Sequence, residues 1–393
     1  MNRERPGILH ILHAGGGGLD AHVCELAHAT SATFDHWLLR IDTKEWRLSA
    51  PADPTAVGTP IRVRWGHPFD RLCRALGVAG CHVHHALGWR RRWLRALASL
   101  RAPFGISVHD FSWICPRLHL VTPDTGYCAG PTDSTVCAQC LRREPRLDRA
   151  PRRWRRNHAA ILQRARFVAC PTAYVRDTLA PHIHDAALDV VPHEYRPPFR
   201  RASPPPPDGE ITVALIGAMG PEKGGLRVEQ LAQRTQAAGL PIRWIVIGNT
   251  IHHGGPRAVL DGALFVHGGY RREELPDLLA DYGAHLVAFP AEGPETWSLT
   301  LDEAWACGRP ALVPNLGALG ERVGKTGAGW RISDWQTDEA WLAWLQWLLT
   351  TEGRDSWIAA AERACHAHDG TPTVPPVTRL YERFYPNTHR QTR

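Results

Sequence analysis

Short apolar runs alternate with segments of helical apolar spacing along almost the whole chain. Near the start, the runs 8–12 and 38–41 predict strands, and the intervening segment 20–29 predicts a helix. A second alternation begins with a predicted strand at 211–216 and continues through a predicted strand at 285–289. Strands that alternate with helices favour a parallel sheet with helices on both of its faces.

A proline-rich segment divides the two alternations. It contains the run Pro204-Pro205-Pro206-Pro207, which neither a helix nor an inner strand accommodates. We therefore predict a semi-rigid linker at 196–209 between domains at 1–195 and 210–370, followed by a C-terminal segment 371–393 that contains a helix. A length of 393 residues suits two such domains.

The composition is that of a folded soluble protein, with 44% apolar and 22% charged residues. No apolar run reaches the roughly 18–20 residues of a membrane helix, and the N-terminus does not resemble a signal peptide. We therefore expect a cytoplasmic protein, in which the ten cysteines do not form a disulfide framework.

The net charge of +7 is concentrated in two arginine-rich segments, at 90–95 and 146–156. Basic side chains interleaved with Trp suit an anionic membrane surface, to which the protein would bind peripherally. A solvated helix face explains the same pattern, and both interpretations stay open. Nucleic acid is not expected as a partner, because no recognised binding module accompanies the charge.

Two carboxylates eight positions apart mark the second domain. Glu295 follows the predicted strand 285–289, and Glu303 lies within an apolar helix predicted to begin near Ser298. The backbone N–H groups of a first helical turn bind anions well. Carboxylates that bind hydroxyls beside an anion site suit a nucleotide-sugar.

This stretch resembles the Glu-x7-Glu signature of bacterial retaining glycosyltransferases of family 4. Trp297 stands for the Phe of the family pattern and Ser298 for its Gly, whereas Leu299 and Glu303 match. The resemblance implies an α/β protein of the GT-B fold, with two doubly wound Rossmann-like parallel-sheet domains facing a cleft. It also implies that the C-terminal segment crosses back to the first domain.

The predicted glycine turn at 216–224 resembles the family's phosphate-binding turn. Gly217 ends a strand, and Lys223 is in register with the family lysine. The family arginine is replaced by Ala218, so one of the two expected diphosphate cations is missing. A further loop resembles the family only at Gly317 and Glu321, the latter expected near the nucleotide.

The resemblance also implies roles for the site residues. Glu295 would bind hydroxyls of the transferred sugar, and Glu303 the ribose of the nucleotide. Lys223 and the N–H groups near Ser298 and Leu299 would stabilise the departing diphosphate. The expected donor-binding set is Gly16, Gly17, Gly217, Lys223, Trp297, Ser298, Leu299, Glu303 and Glu321.

The first domain offers two further candidates. His109 follows a predicted strand, and the resemblance places it beside the transferred sugar, as a catalytic residue together with Glu295. The glycine run 15–18 lies between a strand and a helix. The resemblance places Gly16 and Gly17 near the donor phosphates, although a nicotinamide-binding loop paired with Asp42 remains an alternative.

Four cysteines lie within the predicted loop 115–141, spaced as Cys-x12-Cys-x8-Cys-x2-Cys. Cys115, Cys128, Cys137 and Cys140 suit a structural zinc site or an iron–sulfur cluster, although free thiols or one redox-linked pair are an equal alternative.

We therefore predict a retaining hexosyltransferase that uses a nucleoside-diphosphate sugar and requires no cofactor for catalysis. Its acceptor would be a saccharide or a lipid-linked hydroxyl, as in the synthesis of a cell-surface polysaccharide. A non-catalytic nucleotide- or sugar-binding protein and a nicotinamide-dependent oxidoreductase are the alternatives.

Overall fold

The computed structural model divides the chain into two units, each built around one large sheet. Residues 1–120, 129–195 and 372–393 form the first unit, and residues 121–128 and 196–371 form the second. The structure describes the whole chain except residues 1–4, 15–17, 43–44, 51–57, 63–66, 87–90, 123–125, 145–146, 149, 194–196, 198, 200–208, 368–375 and 386–393.

Strands up to residue 190 form an eight-stranded sheet and a separate hairpin. They are β1 (Gly7–His13), β2 (Asp35–Ile41), β3 (Trp46–Ser49), β4 (Thr59–Ile61), β5 (Val78–Val83), β6 (Phe104–Ser107), β7 (Val121–Thr122), β8 (Gly126–Tyr127), β9 (Val168–Cys170) and β10 (Leu188–Val190). The sheet order is β10-β9-β6-β5-β1-β2-β3-β4, and β7 pairs with β8. All neighbours in the large sheet are parallel except β2-β3 and β3-β4.

Helices connect these strands. They are α1 (Gly18–Ala29), α2 (Pro68–Leu76), α3 (Arg91–Ala98), α4 (Ser134–Arg142), α5 (Pro151–Leu162) and α6 (Ala173–Leu179), with a 3-10 turn at Ala180–His182. Polar caps explain where two of them begin. Asp133 accepts a hydrogen bond from the Thr135 amide before α4, and Thr172 accepts one from the Val175 amide before α6.

The second unit contains a seven-stranded sheet. Its strands are β11 (Ile211–Ala218), β12 (Ile242–Asn249), β13 (Arg257–Val259), β14 (Leu264–Val266), β15 (Leu286–Ala288), β16 (Ala311–Pro314) and β17 (Gly329–Ile332). The order is β13-β14-β12-β11-β15-β16-β17, and only the β13–β14 pair is antiparallel. Its inner strands are apolar and buried, as expected for a sheet covered on both faces.

Six α-helices and three 3-10 turns complete the described part of the second unit. The helices are α7 (Gly225–Ala237), α8 (Leu275–Asp281), α9 (Leu299–Ala306), α10 (Gly317–Thr326), α11 (Asp338–Leu348) and α12 (Thr351–His366). The 3-10 turns are Pro221–Lys223, Leu260–Gly262 and Arg272–Glu274. The order of strands and helices is that of a doubly wound α/β unit.

The last described helix, α13 (Val377–Phe384), belongs to the first unit. Tyr381 and Tyr385 are fully buried and pack in one apolar cluster with Ile8 and Phe167. A side chain would not fit at Gly80 of β5, because its Cβ would lie 2.3 Å from the Tyr385 ring. The first unit is therefore built from both ends of the chain.

Several local features differ from the sequence expectations. The segment 115–141, expected to be a loop without a core, carries α4 and the β7–β8 hairpin and buries Leu120 and Leu141. Residues 272–281 form a 3-10 turn followed by α8 and not one continuous helix, because Pro276 in the first turn of α8 favours a new helix start. Strands β3, β4 and β13 and helix α12 were not predicted. Of the expected linker 196–209, the structure describes residues 197, 199 and 209.

None of the helices among the described residues is long and apolar enough to cross a membrane.

Candidate active site

The signature segment of the second unit forms a loop and then a helix. The loop follows β15 and ends at Ser298, where α9 begins. Ser298 has φ 71° and ψ 93°, a backbone conformation that favours glycine and costs other residues of order 1–2 kcal/mol. The family pattern has Gly at this position, so the conformation explains that preference, and the serine here adopts it with strain.

Arg322 of α10 holds this strained segment in place. Its guanidinium donates hydrogen bonds to the carbonyl oxygens of Trp297, at 2.9 Å, and Ser298, at 3.1 Å. It also lies 3.8 Å from the centre of the Trp297 ring and forms an ion pair with the buried Asp302. Asp302 in turn accepts a hydrogen bond from Trp297 Nε1 at 2.8 Å. Sequence reasoning missed Arg322, because nothing in the linear motif points to it.

Glu303 lies in the middle of α9 and is only 6% exposed. Arg272 Nε donates a hydrogen bond to Glu303 Oε1 at 2.7 Å, which makes a charged pair. Burial raises the pKa of Glu303 above its usual value, although the positive charges of Arg272 and Lys223 act in the opposite direction. The structure thus brings the predicted Lys223 and Glu303 near each other and adds Arg272, which the sequence did not identify.

The backbone of the glycine turn before α7 packs directly against the backbone of the signature loop. Gly224 has φ 76°, and a Cβ at this position would lie 1.9 Å from the Pro290 carbonyl oxygen. The Glu292 amide donates a hydrogen bond to the carbonyl oxygen of Glu222 at 2.9 Å. Since both contacts are between backbones, Lys223 is held in a fixed position beside the loop that precedes Glu295.

Gly217 at the end of β11 also has a positive φ, of 99°. A Cβ built on it would meet no described atom within 4 Å, so the glycine is required by its backbone conformation and not by crowding. The neighbouring Ala218 is exposed.

The backbone of Glu295 is tied to the start of α10. Its carbonyl oxygen accepts a hydrogen bond from the Ala318 amide at 2.9 Å, and Gly317, with φ 60°, packs against the same carbonyl. The Glu295 residue itself is partly exposed. Glu321 lies further along α10 and forms an ion pair with Lys325.

In the first unit, His109 follows β6 at the carboxyl end of that strand, as predicted. Its Nε2 lies 3.2 Å from Nδ1 of His84, and its ring stacks 4.7 Å from that of His193. Burial, reinforced by nearby imidazoles including His193 and His22, lowers the pKa of His109 well below 6.5. The ring is therefore neutral near pH 7.

His109 is one end of a chain of hydrogen-bonded histidines. His84 Nε2 lies 3.0 Å from His10 Nδ1, and His10 Nε2 lies 2.9 Å from His36 Nδ1. His36 Nε2 lies 3.0 Å from Thr30 Oγ1. Burial lowers the pKa of His36 to about 4 and that of His10 well below 6.5.

Two further histidines of β5 and the loop after it are also bonded. His82 lies with Nδ1 2.5 Å from the Tyr381 hydroxyl and Nε2 2.9 Å from Ser107 Oγ. His85 Nε2 lies 2.5 Å from Asp110 Oδ2. Burial alone would raise the pKa of Asp110, but its hydrogen bond and charge interaction with His85 lower it overall. The sequence signal for this cluster is that histidines lie in or just after several predicted strands, although the sequence does not show which strands are neighbours.

The four cysteines of the segment 115–141 are thiols in this structure. Arg155 donates to Cys137 Sγ at 3.0 Å, and Arg117 donates to Cys140 Sγ at 3.1 Å. Within the described residues, the groups of three or more ligand atoms mutually within 4.8 Å are formed by histidines and not by these cysteines. A zinc site at Cys115, Cys128, Cys137 and Cys140 therefore stays a prediction without support from their arrangement.

Gly16 and Gly17 lie outside the described residues, so the structure gives no position for this part of the predicted donor site.

The fold of the chain is that of GT-B glycosyltransferases. Sucrose-phosphate synthase from Thermosynechococcus elongatus aligns with a TM-score of 0.69 and 16% identity, covering 97% of this chain and 99% of that one. HepE of Anabaena, solved in complex with UDP and glucose, aligns with a TM-score of 0.62 and 13% identity, covering 96% and 99%. These similarities confirm the predicted GT-B fold.

A sequence relative supports the same class. D-inositol 3-phosphate glycosyltransferase from Rhodococcus erythropolis is 30% identical over 179 residues, which cover 42% of this chain and 40% of the relative. The chain thus matches about two fifths of the length of this curated relative. No model of a known protein family matches the chain. The predicted resemblance to family 4 glycosyltransferases is confirmed by these findings.

Proposed function

We propose that this protein transfers a hexose from a nucleoside-diphosphate sugar to a hydroxyl acceptor, with retention at the anomeric carbon. The GT-B fold and the glycosyltransferase relative support this class of reaction. The observation that carries the proposal is a cluster of three charged side chains, Lys223, Arg272 and Glu303, beside the glycine turn and the first turn of α9. Two cations and a helix N-terminus suit a diphosphate, and a buried carboxylate suits sugar hydroxyls.

In this proposal each part of the group has one task. Glu303 accepts hydrogen bonds from the ribose hydroxyls, and Glu295 accepts them from the transferred sugar. Lys223 and the first N–H groups of α9, near Ser298 and Leu299, stabilise the charge that develops on the leaving diphosphate. Trp297, Gly217 and Glu321 complete the donor site, the last near the nucleotide.

We infer that Arg272 supplies the second phosphate cation that Ala218 does not. The family arginine would project from the end of β11, where Ala218 leaves an exposed position. Arg272 lies in the turn before α8 and donates a hydrogen bond to Glu303. The positive charge of Lys223 also acts on Glu303, because it lowers the pKa of that carboxyl. A guanidinium carries a fixed positive charge and five N–H groups in a planar fork, which suits recognition of phosphate oxygens.

His109 would line the reacting face of the sugar. A neutral imidazole accepts or donates one hydrogen bond at each nitrogen, which suits a sugar hydroxyl. The low pKa of His109 means that it would act by hydrogen bonding and not as a standing positive charge.

The acceptor in this proposal is a saccharide or a lipid-linked hydroxyl. Helices α3 and α5 support contact with an anionic membrane, because Arg92, Arg95, Arg152, Arg153 and Arg156 are exposed on them. Exposed arginines of this kind bind anionic headgroups more weakly as salt is raised.

The test begins with the donor. The melting temperature of the purified chain is measured with UDP, GDP, ADP and TDP, since a ligand that binds the native state must raise it. The nucleotide that stabilises the protein then selects the nucleotide-sugars for transfer and hydrolysis assays. Stabilisation by none of the four would contradict the donor site.

A non-catalytic nucleotide- or sugar-binding protein is the second candidate, and Ala218 is the observation that favours it. The two candidates separate in one experiment. Donor binding without transfer to saccharide or lipid-linked acceptors, and without slow donor hydrolysis, would establish the binding protein instead.

A further inference from the structure

Three histidines of the first unit converge on one point. His22 lies on α1, His109 follows β6 and His193 follows β10. One ligand atom of each lies within 4.8 Å of one of each of the others, and the ring centres are 4.4–5.5 Å apart. A tetrahedral zinc ion with bonds of about 2.0–2.1 Å holds its ligand nitrogens roughly 3.4 Å apart. A contraction of about an ångström would therefore place all three on one ion.

The row of hydrogen-bonded histidines ends at Thr30, whose hydroxyl proton is already used in another hydrogen bond. The Thr30 hydroxyl donates to the Leu26 carbonyl oxygen at 2.8 Å, so its oxygen accepts the hydrogen bond from His36 Nε2. A neutral imidazole carries one N–H, so His36 Nδ1 has a lone pair and accepts from His10 Nε2.

The same reasoning continues to the other end of the chain. His10 Nδ1 has the lone pair and accepts from His84 Nε2, and His84 Nδ1 accepts from His109 Nε2. The N–H of His109 is thus assigned to Nε2, and its Nδ1 carries a lone pair. A metal-ligating histidine has this arrangement, with one nitrogen for the ion and the other donating to an outer-shell acceptor.

A second group of histidines meets the same distance criterion but is already occupied. His10, His82 and His84 also lie within 4.8 Å of one another. Both ring nitrogens of His82 are bonded, to Tyr381 and Ser107, and both nitrogens of the other two are bonded to neighbouring histidines. An ion there would break several of these bonds, so no ion is assigned to this group, and His84 is the hydrogen-bond partner of the ligand His109.

We propose that His22, His109 and His193 bind one divalent transition-metal ion, of which zinc is the first choice. Three neutral imidazoles suit zinc, copper or nickel, whereas magnesium and calcium prefer oxygen ligands. Three protein ligands leave a fourth position for water or another oxygen ligand. The proposal does not rest on the proposed function, because metal binding is measured without any sugar donor. It changes one part of that function: with Nε2 bonded to His84 and Nδ1 on the ion, His109 would meet the sugar through the fourth ligand of the ion and not by a direct hydrogen bond.

The experiment uses the full chain, stripped of metal with a chelator and dialysed, and the double variant Cys137→Ser/Cys140→Ser. Zinc is titrated against a chromophoric indicator, and cobalt(II) is added in parallel to record its visible spectrum. We expect one ion per chain in both proteins. The cobalt spectrum should show a tetrahedral centre without the charge-transfer absorption that thiolate ligands produce.

Two ligand variants and a matched control locate the ion. His22→Gln and His193→Gln should each weaken zinc binding by at least about 100-fold, more than the 10–100-fold loss typical of an outer-shell partner. His28→Gln, on the exposed face of the same helix α1, should leave the affinity unchanged. Far-UV circular dichroism and the melting temperature of each metal-stripped variant show that it is folded, and two ligand variants guard against the failure of one.

The outer shell is tested at Thr30, which starts the hydrogen-bonded chain. Thr30→Val removes the acceptor four hydrogen bonds away from His109 and should weaken zinc binding by less than the roughly 10–100-fold lost with a direct outer-shell partner. Thr30→Ser keeps the oxygen and should not weaken binding. A stripped wild-type chain that binds no zinc or cobalt would overturn the proposal. Binding that persists in both ligand variants, or that is lost only in the cysteine variant, would also overturn it.

Discussion

Both units bury polar groups at their candidate sites, but these two sites bury them in different chemical forms. The second unit buries charges and pairs them, as Glu303 with Arg272 and Asp302 with Arg322. The first unit buries uncharged rings and bonds them into a chain, from His109 to His36. Both arrangements depend on unprotonated groups, but the unperturbed pKa of histidine is about 6.5 and that of a carboxylate is about 4. A fall in pH therefore affects the histidines of the first unit before the ion pairs of the second.

Lowering the pH should therefore destabilise the first unit more than the second, and this is the largest expected effect. The pKa is about 3 for His82 and about 4 for His36 in the folded protein, because burial disfavours their charged forms. Their value is 6.5 when unfolded, so the unfolded state binds more protons below that pH. The stability is fully present above about pH 6.5 and falls as the pH approaches 4, by about 3 kcal/mol for each of these histidines.

The raised pKa of Glu303 has the opposite sign, because its unfavourable burial is relieved when it is protonated. We expect the first unit to unfold in acid before the second. After equilibration between pH 7 and 4, a short deuterium pulse at one fixed pH, resolved by mass spectrometry, would report each unit. Simultaneous exchange of both units, or earlier exchange of residues 210–367, would contradict this difference.

The negative charge of Glu295 is expected to contribute to turnover and not to the stability of the fold. Glu295→Gln keeps the size of the side chain and removes a carboxylate expected to bind the transferred sugar. Turnover should fall at least about 100-fold, the scale found for losing one group that stabilises a transition state. Glu273→Gln, an exposed residue near Arg272, is the matched control. Equal activities of the two variants, with unchanged melting temperatures, would remove Glu295 from the site.

Arg272 tests whether the second unit replaces a missing cation. Arg272→Gln should weaken nucleoside-diphosphate binding about tenfold or more, as for loss of a charge-assisted hydrogen bond of about 1.5–3 kcal/mol. Arg271→Gln, whose side chain is largely exposed, should have little effect. Adding Ala218→Arg to Arg272→Gln should restore part of the affinity, measured by calorimetry. Normal binding by Arg272→Gln would contradict the inference and leave Lys223 as the phosphate cation.

The smallest expected effect concerns backbone strain in the charged unit. Ser298→Gly should raise the free energy of unfolding by about 1 kcal/mol, because glycine adopts a φ of 71° without a steric penalty. Ser298→Ala keeps the Cβ and should give no such gain. Urea unfolding of the three proteins measures both changes. A glycine variant less stable than the serine would show that the Ser298 side chain stabilises the loop.

The sequence predicted what local pattern determines and missed what tertiary contact determines. Strands β1, β11 and β15 and helix α9 follow directly from runs and spacing, as does the place of Glu303 within its helix. Arg272 and Arg322 lie 31 and 20 residues from their carboxylate partners, so no local motif identifies them. Short edge strands such as β13 carry too few apolar residues to be recognised.

The histidine chain illustrates the same limit in the other unit. His109 was chosen by its place after a strand and by the family resemblance, whereas His84 was not among the candidate site residues. The order β6-β5-β1-β2 places His109, His84, His10 and His36 on four adjacent strands or at their ends. A parallel-sheet prediction with a correct strand order would have grouped them, but the strand order was not available from the residues alone.

The late position of helix α13 in the sequence affects the order in which the two units fold during synthesis on the ribosome. Tyr381 and Tyr385 fill the core around Ile8 and Phe167, yet they are synthesised after the whole second unit. Domains usually complete folding in the order of synthesis. Here the unit that emerges first lacks part of its core until α13 has been synthesised. The second unit should therefore reach its native state earlier. Nascent chains arrested before residue 377 should carry an incomplete first unit.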